Sequence, residues 1–222
     1  MVNVLVLGGH GKIARAISRI LAQKGHQITS VIRDPSQSSV VESLYGNVTP
    51  LVSSLENPPH PAFKMTKAVD EIAAKKYIDA AAEAPSVDTF LMVSASVARR
   101  APASWWGESD VETYKDLWDT VEAYCEAKTV ADEHLYEVGT ESAIMDICLR
   151  PGRLSDDPAT GLVSLGRCKA AGEVTREDVA DVAVRLLESD AVGGLWIDMI
   201  GGDKKVEEEV ARVIRDKFTA KE

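Results

Sequence analysis

Two stretches of this 222-residue chain hold residue types whose spacing suits chemistry. The first is "YCEAK", with Tyr124 and Lys128 four apart. On a helix that spacing puts both side chains on one face. A free phenol ionises at a pH of about 10, and a neighbouring ammonium favours its phenolate. Such a tyrosine serves as a general acid or base near neutral pH, protonating a carbonyl oxygen as hydride arrives from a nicotinamide. Ser94, which ends the run "TFLMVS", is a candidate to polarise the same oxygen. The spacing also suits an ordinary amphipathic helix, with Tyr124 on the apolar side and Lys128 snorkelling to water. Both readings stay open on spacing alone.

The second stretch is "VLVLGGHGKIARAI", residues 4–17. An apolar run breaks at Gly8, Gly9, His10 and Gly11, and apolar residues then resume at helical spacing. Gly8 allows a tight turn, and Gly11 lets backbone approach a pyrophosphate with no Cβ in the way. Ala14 is small enough for close packing of helix on strand. The free N–H groups of the helix start would face the anion, with His10 contacting through its backbone. The next strand ends in Arg33 and Asp34. An acidic residue there would bind the ribose hydroxyl of NAD, whereas arginine suits the 2′-phosphate of NADP. Arg33 comes first and Lys12 stands near enough to assist. NADP is therefore the expected cofactor, with NAD left open by Asp34.

The elements that must position these residues follow from periodicity. Residues 2–7 read as a valine-rich strand buried on both faces. Ile13, Ala14, Ile17, Ile20 and Leu21 share a helical face, and Gly25 suits the helix end. Strands are expected at 27–32, 48–53, 89–94, 143–149 and 195–200. Helices are expected at 37–45, 64–84, from Ser109 to about Gly139, at 179–187 and near 206–214. Ser109 with Glu112 fits a capping box, and Thr175 with Asp178 a second N-cap. Alternating strands and helices imply an α/β, doubly wound parallel sheet of Rossmann type, whose ligands lie at the carboxyl ends of the strands. Residues 1–222 read as one domain.

Composition excludes several function classes. The net charge is −10, with 35 acidic against 25 basic residues, which argues against nucleic acid or an anionic membrane as partner. No apolar run reaches the roughly 20 residues of a membrane span. No signal peptide is apparent, and Cys125, Cys148 and Cys168 share no metal spacing, so reduced thiols in a cytoplasmic protein are expected. Trp105, Trp106 and Trp118 suit either an apolar pocket or core packing.

The set "GGHGKIA", "VIRDP", "LMVSA", "YCEAK" and "LRPGRLSDDPATG" occurs in the order of the short-chain dehydrogenase/reductase superfamily. It most resembles the atypical, NmrA-like NAD(P)-binding branch, over nearly the whole chain. The resemblance implies that Gly8, Gly11 and Ile13 line the pyrophosphate and that Arg33 lies near the adenosine phosphate. It implies that Ser94, Tyr124 and Lys128 occupy the catalytic positions, with Pro151 and Gly152 near the nicotinamide. The implied function is NADP-dependent reduction of a small carbonyl or enone, or the reverse. The alternative within this branch is a non-catalytic NAD(P)-binding regulator that acts on a protein partner. One departure stands out. Where the family carries a fourth strand, this chain has only "SLENPPHPAFK", residues 54–64. The expectation is that the strand at 89–94 pairs directly with that at 2–7, shifting Ser94 and the Tyr124 helix towards the glycine turn. Weak nucleotide binding and poor turnover would follow.

Overall fold

The computed structural model describes residues 1–53, 66–189 and 193–222. The expected interval 54–64 falls outside the described residues. Strands β1 (Asn3–Val6), β2 (Gln27–Ile32) and β3 (Val48–Val52) form one parallel ladder in the order β1-β2-β3. A second ladder holds β4 (Thr89–Val93), β5 (Met145–Pro151) and β9 (Leu195–Gly201) in parallel. At its far side β7 (Leu162–Gly166) runs antiparallel to β9, and β10 (Lys204–Lys205) antiparallel to β7. Two three-residue strands, β6 (Arg153–Ser155) and β8 (Glu173–Thr175), pair separately. The helices are α1 (Lys12–Gln23), α2 (Ser38–Glu42), α3 (Ala74–Glu83), α4 (Glu108–Glu141), α5 (Arg176–Leu187) and α6 (Val206–Arg215). A π-helical turn, Lys67–Ala73, leads into α3.

The α/β, doubly wound Rossmann-type architecture is as the alternation implied, but the pairing expected of β4 is not. Among the described residues β1 pairs only with β2, and β4 only with β5. The reason lies in what each strand carries. Period-2 alternation divides β4, β5 and β9 between two faces. Ile147, Leu149, Ile197 and Met199 join α1, α5 and α6 in one core. Met92, Cys148 and Trp196 meet Ile78 of α3 and Ala131 and Leu135 of α4 in another. β4 is held by its ladder to β5 and by Met92 in that second core, and its other edge pairs with no described strand. The halves are joined instead by the packing of α1 on α5.

The reading of β1 as buried on both faces is also corrected. Val6 is buried and Val4 packs on the core, but Leu5 is 57% exposed and Val2 55%. The α1 side of the strand is covered, and no described helix packs on the other. At α4 the expected capping box is absent: the helix starts one residue earlier, capped by Gly107 with no side-chain bond. Thr175 does cap α5, its Oγ1 accepting from Asp178 N–H at 3.0 Å.

Candidate active site

The glycine turn closes on itself. Gly11 N–H donates to Gly8 O at 2.8 Å, and Gly9 N–H to Val31 O at 2.8 Å. Gly8 sits at φ +67, where side chains are strained. A Cβ on Gly9 would stand 1.8 Å from Ser30 Oγ, so the turn can lie against β2 only with glycine there. Gly11 caps α1 with no side-chain bond, and the first turn of α1 holds no acid. Its unsatisfied N–H groups and positive helix end therefore suit an anion. Gly8, His10, Gly11 and Lys12 are exposed, and Ile13 is half-buried. These residues fit a nucleotide pyrophosphate.

Arg33 is exposed at the end of β2. Asp34 turns away into local structure, its Oδ1 accepting from Ser36 N–H at 2.9 Å. That bond holds its carboxyl below the usual carboxylate range. Lys12 pairs with Asp156 in the loop after β6, and Arg176 reaches the same carboxylate at 2.8 Å. A cleft of about 330 Å³ opens here, lined among others by Lys12, Arg15, Arg19 and Arg176. Neither Tyr124 nor Lys128 lines it.

Tyr124 and Lys128 lie just beyond a break in α4, where Val121 leaves helical geometry at φ −132, ψ 40. The ammonium stands 5.9 Å from the Tyr124 ring centroid. It donates to Val93 O at 3.3 Å and to Asp70 Oδ1 at 3.0 Å, from the π-helical turn. These bonds fix the long side chain against the end of β4, one residue from Ser94. Burial pushes the Tyr124 phenol up, Lys128 opposes it, and Asp70, Cys125 and Asp132 add to the rise. Tyr124 is thus a phenol held above its ordinary range, where the sequence alone suggested an ammonium favouring the phenolate. Burial pulls the Lys128 ammonium down, but Asp70, Tyr124 and Asp132 outweigh it, and its net shift is upward.

Ser94 is buried, and its Oγ makes no hydrogen bond of ordinary geometry. It faces Asp132, one helical turn past Lys128. Pro151 is buried and its carbonyl accepts from Ser96 N–H at 3.0 Å. Gly152 makes a close backbone approach to the chain itself, since a Cβ there would meet Gly172 O at 2.5 Å. The three tryptophans are tied into packing: Trp105 and Trp106 donate to Cys168 O at 2.9 and 2.8 Å, and Trp118 to Val97 O at 3.0 Å.

A buried charge system behind the pair escaped the sequence reading. Arg150, fully buried, stands opposite Asp198 in the β5–β9 register. Its Nε lies 3.2 Å from Asp198 Oδ1 and its Nη1 3.3 Å from Asp132 Oδ2. It also donates to Ala98 O at 2.8 Å, while Arg99 Nη2 donates to Asp198 Oδ2 at 2.7 Å. The available signals were the four-residue step from Lys128 to Asp132 and an arginine inside an apolar strand.

A family profile described as NAD(P)H-binding matches residues 8–190. The chain belongs to the NAD(P)H-binding family. Its glycine turn is where members of a Rossmann fold hold the nucleotide. The chain is 27% identical over 238 residues to a UPF0659 protein of Schizosaccharomyces pombe, covering 95% of this chain and 94% of that one. It is 25% identical to the uncharacterised sugar epimerase YhfK of Bacillus subtilis, covering 95% and 100%. In fold it is similar to the oxidoreductase ylbE of Lactococcus lactis, with a TM-score of 0.74, 24% identity and 97% of each chain covered. A short-chain dehydrogenase/reductase of Veillonella parvula in complex with NADP aligns with a TM-score of 0.68 at 18% identity, covering 89% and 94%. The chain thus has an NAD(P)-binding, oxidoreductase-like fold. No helix among the described residues is long and apolar enough to cross a membrane, and no group of acids, histidines and cysteines there could hold a metal ion.

Proposed function

We propose that this protein is an NADP-dependent reductase of a small carbonyl or enone. The observation that carries the reading is the Tyr124–Lys128 pair, set against the end of β4 by Val93 O and Asp70. A bound nicotinamide supplies hydride to the carbonyl carbon. Tyr124 gives its hydroxyl proton to the carbonyl oxygen and regains one from solvent, so the alcohol gains one hydride and one proton. Lys128 stabilises the transient phenolate and offers the ammonium as a ribose anchor. Ser94 backs the pair from the strand end. Gly8 to Ile13 cradle the pyrophosphate, with Pro151 and Gly152 near the nicotinamide. Arg33 faces the 2′-phosphate, which favours NADP over NAD because Asp34 is engaged with Ser36.

The test is NADPH oxidation across a panel of carbonyls and enones, with Tyr124→Phe beside the unmodified chain. General acid catalysis contributes roughly 10²–10⁴ in rate. Turnover should fall at least about a hundredfold in the variant, with NADPH affinity by calorimetry near that of the parent. Undiminished turnover in the variant would reduce Tyr124 to a packing residue. NADPH binding with no accepted substrate would favour the regulator reading.

A further inference from the structure

The cleft beside α1 plays no part in the reductase reading. Lys12, Arg15 and Arg19 follow one another along α1 by steps of three and four residues, so their side chains share a face of the helix. Arg176, the first residue of α5, lines the other wall beside the loop that follows β6. The cleft holds about 330 Å³, enough for a small molecule. Of the residues assigned to the nucleotide, Lys12 alone lines it. Gly8 to Gly11, Arg33, Pro151 and Gly152 lie outside the lining.

The charges of this lining are unevenly matched. Four cations meet three carboxylates, those of Asp156, Asp157 and Glu177, in a chain whose net charge is −10. Arg19 is paired with Glu177 at 2.5 Å. Lys12 and Arg176 share the single carboxylate of Asp156. Arg15 is left over. Among the described residues its guanidinium makes no hydrogen bond or ion pair, yet its Nε is shut off from water. A buried donor without an acceptor costs free energy, more so when it is charged. Donors remain on every cation of the set except Arg19: the whole guanidinium of Arg15, the other ammonium protons of Lys12 and the free edge of Arg176.

We propose that this cleft is a second anion site, separate from the pyrophosphate cradle, which binds the phosphate group of a small phosphorylated molecule with Arg15 as its central ligand. Donors reach the cleft from two walls, α1 and α5. A planar carboxylate is satisfied by the fork of one guanidinium. A phosphate presents oxygens in several directions, so it accepts from Arg15 and Arg176 together, with Lys12 beside them. Charge sets the size of the anion. A phosphate monoester carries about −1.5 to −2 near neutral pH, which brings the cleft close to balance. A di- or triphosphate would leave it strongly negative, with the carboxylate of Asp157 unpaired at its edge. Two sources share the monoester chemistry: the 2′-phosphate of the nucleotide itself and a separate molecule. Arg33 and the glycine turn lie outside the lining, which favours the separate molecule.

The experiment is calorimetric titration of the full chain with inorganic phosphate, at fixed ionic strength against a chloride control, without NADPH and with it at saturation. Phosphate should bind in both states. Arg15→Gln should weaken it at least about tenfold, the usual loss with one charge-assisted bond, and Arg176→Gln should do the same. Arg33→Ala should leave it unmoved. Binding no stronger than that of chloride overturns the proposal, as does undiminished binding in folded Arg15→Gln. Where that variant fails to fold, Arg176→Gln decides in its place. Loss of phosphate binding on saturation with NADPH also overturns it, by assigning the cleft to the cofactor's own phosphate. In a chain that takes no NADPH the chloride control and the arginine variants decide alone, so the test is independent of the reductase reading.

Discussion

A Cβ on Gly9 would overlap Ser30 Oγ, since the two would lie 1.8 Å apart. Ser30 is fully buried on β2, so neither partner has room to withdraw. Gly9→Ala should therefore destabilise the fold by about 1–3 kcal/mol, the usual cost of overpacking a filled interior. Ser30→Ala should recover part of that loss in the double variant, because the nearest atom is then removed. Urea denaturation of the four chains of this cycle measures the coupling. Strict additivity would show that the turn relaxes away from β2.

Arg33 should discriminate between cofactors. A charge-assisted bond to the 2′-phosphate contributes on the order of 1.5–3 kcal/mol, roughly ten- to a hundredfold in affinity. In Arg33→Ala, calorimetry should show that loss for NADPH and little change for NADH. Equal losses would place the arginine elsewhere in the complex.

Stability should carry a pH signature from the buried carboxylates. Burial pushes Asp132 and Asp198 each up to about 6, against the pull of Arg150 and, for Asp198, Arg99. With folded values raised above the unfolded 3.8, the native state holds more protons through that interval. Their contribution to stability is full below about pH 4 and is lost as pH rises through about 6. The stability of the parent relative to Asp132→Asn should accordingly fall between about pH 4.5 and 6.5 and level off above. Denaturant midpoints at fixed ionic strength test this, and a relative stability that climbs over the same interval would contradict it.

All three thiols should be silent in the native protein. Cys125, Cys148 and Cys168 are buried and free. Burial raises each of them, Cys168 to about 12. Since the thiolate is the reacting form, an aromatic disulfide reagent at mildly alkaline pH should label none before unfolding and three after it. Labelling of one thiol at once would reveal a local opening beside it.

The elements bearing the candidate site were readable because their signals are local. Tyr124 and Lys128 share a face through a four-residue step, and the glycines of the turn sit between an apolar run and an amphipathic one. The strands β7, β8 and β10 left no such trace: β8 and β10 hold only three and two residues, and β7 is defined by the strand it returns to. Asp132 and Asp70 drew no reading from the sequence, because composition does not reveal which helix face meets the sheet. Arg150 follows directly on the apolar run 143–149, but its partners come from α4 and β9 and appear only when the chain closes. The exposure of Leu5 was hidden for the converse reason, since an apolar strand does not say what covers it.

The packing of α1 on α5 makes the molecule a pair of ladders clasped by side chains. Arg19 to Glu177 at 2.5 Å and Lys24 to Glu188 at 2.5 Å rivet the edges of that clasp, with His26 to Glu188 at 3.2 Å beside them. Proteins open locally in contiguous cooperative units that often coincide with supersecondary motifs. The β1–β3 half, which carries the glycine turn and Arg33, is therefore a candidate foldon. Its amides would exchange together in an opening that leaves β4, β5 and β9 closed. A nucleotide resting on both the turn and the β5 end would span the seam, so the ligand would act as a structural crosslink as well as a reactant.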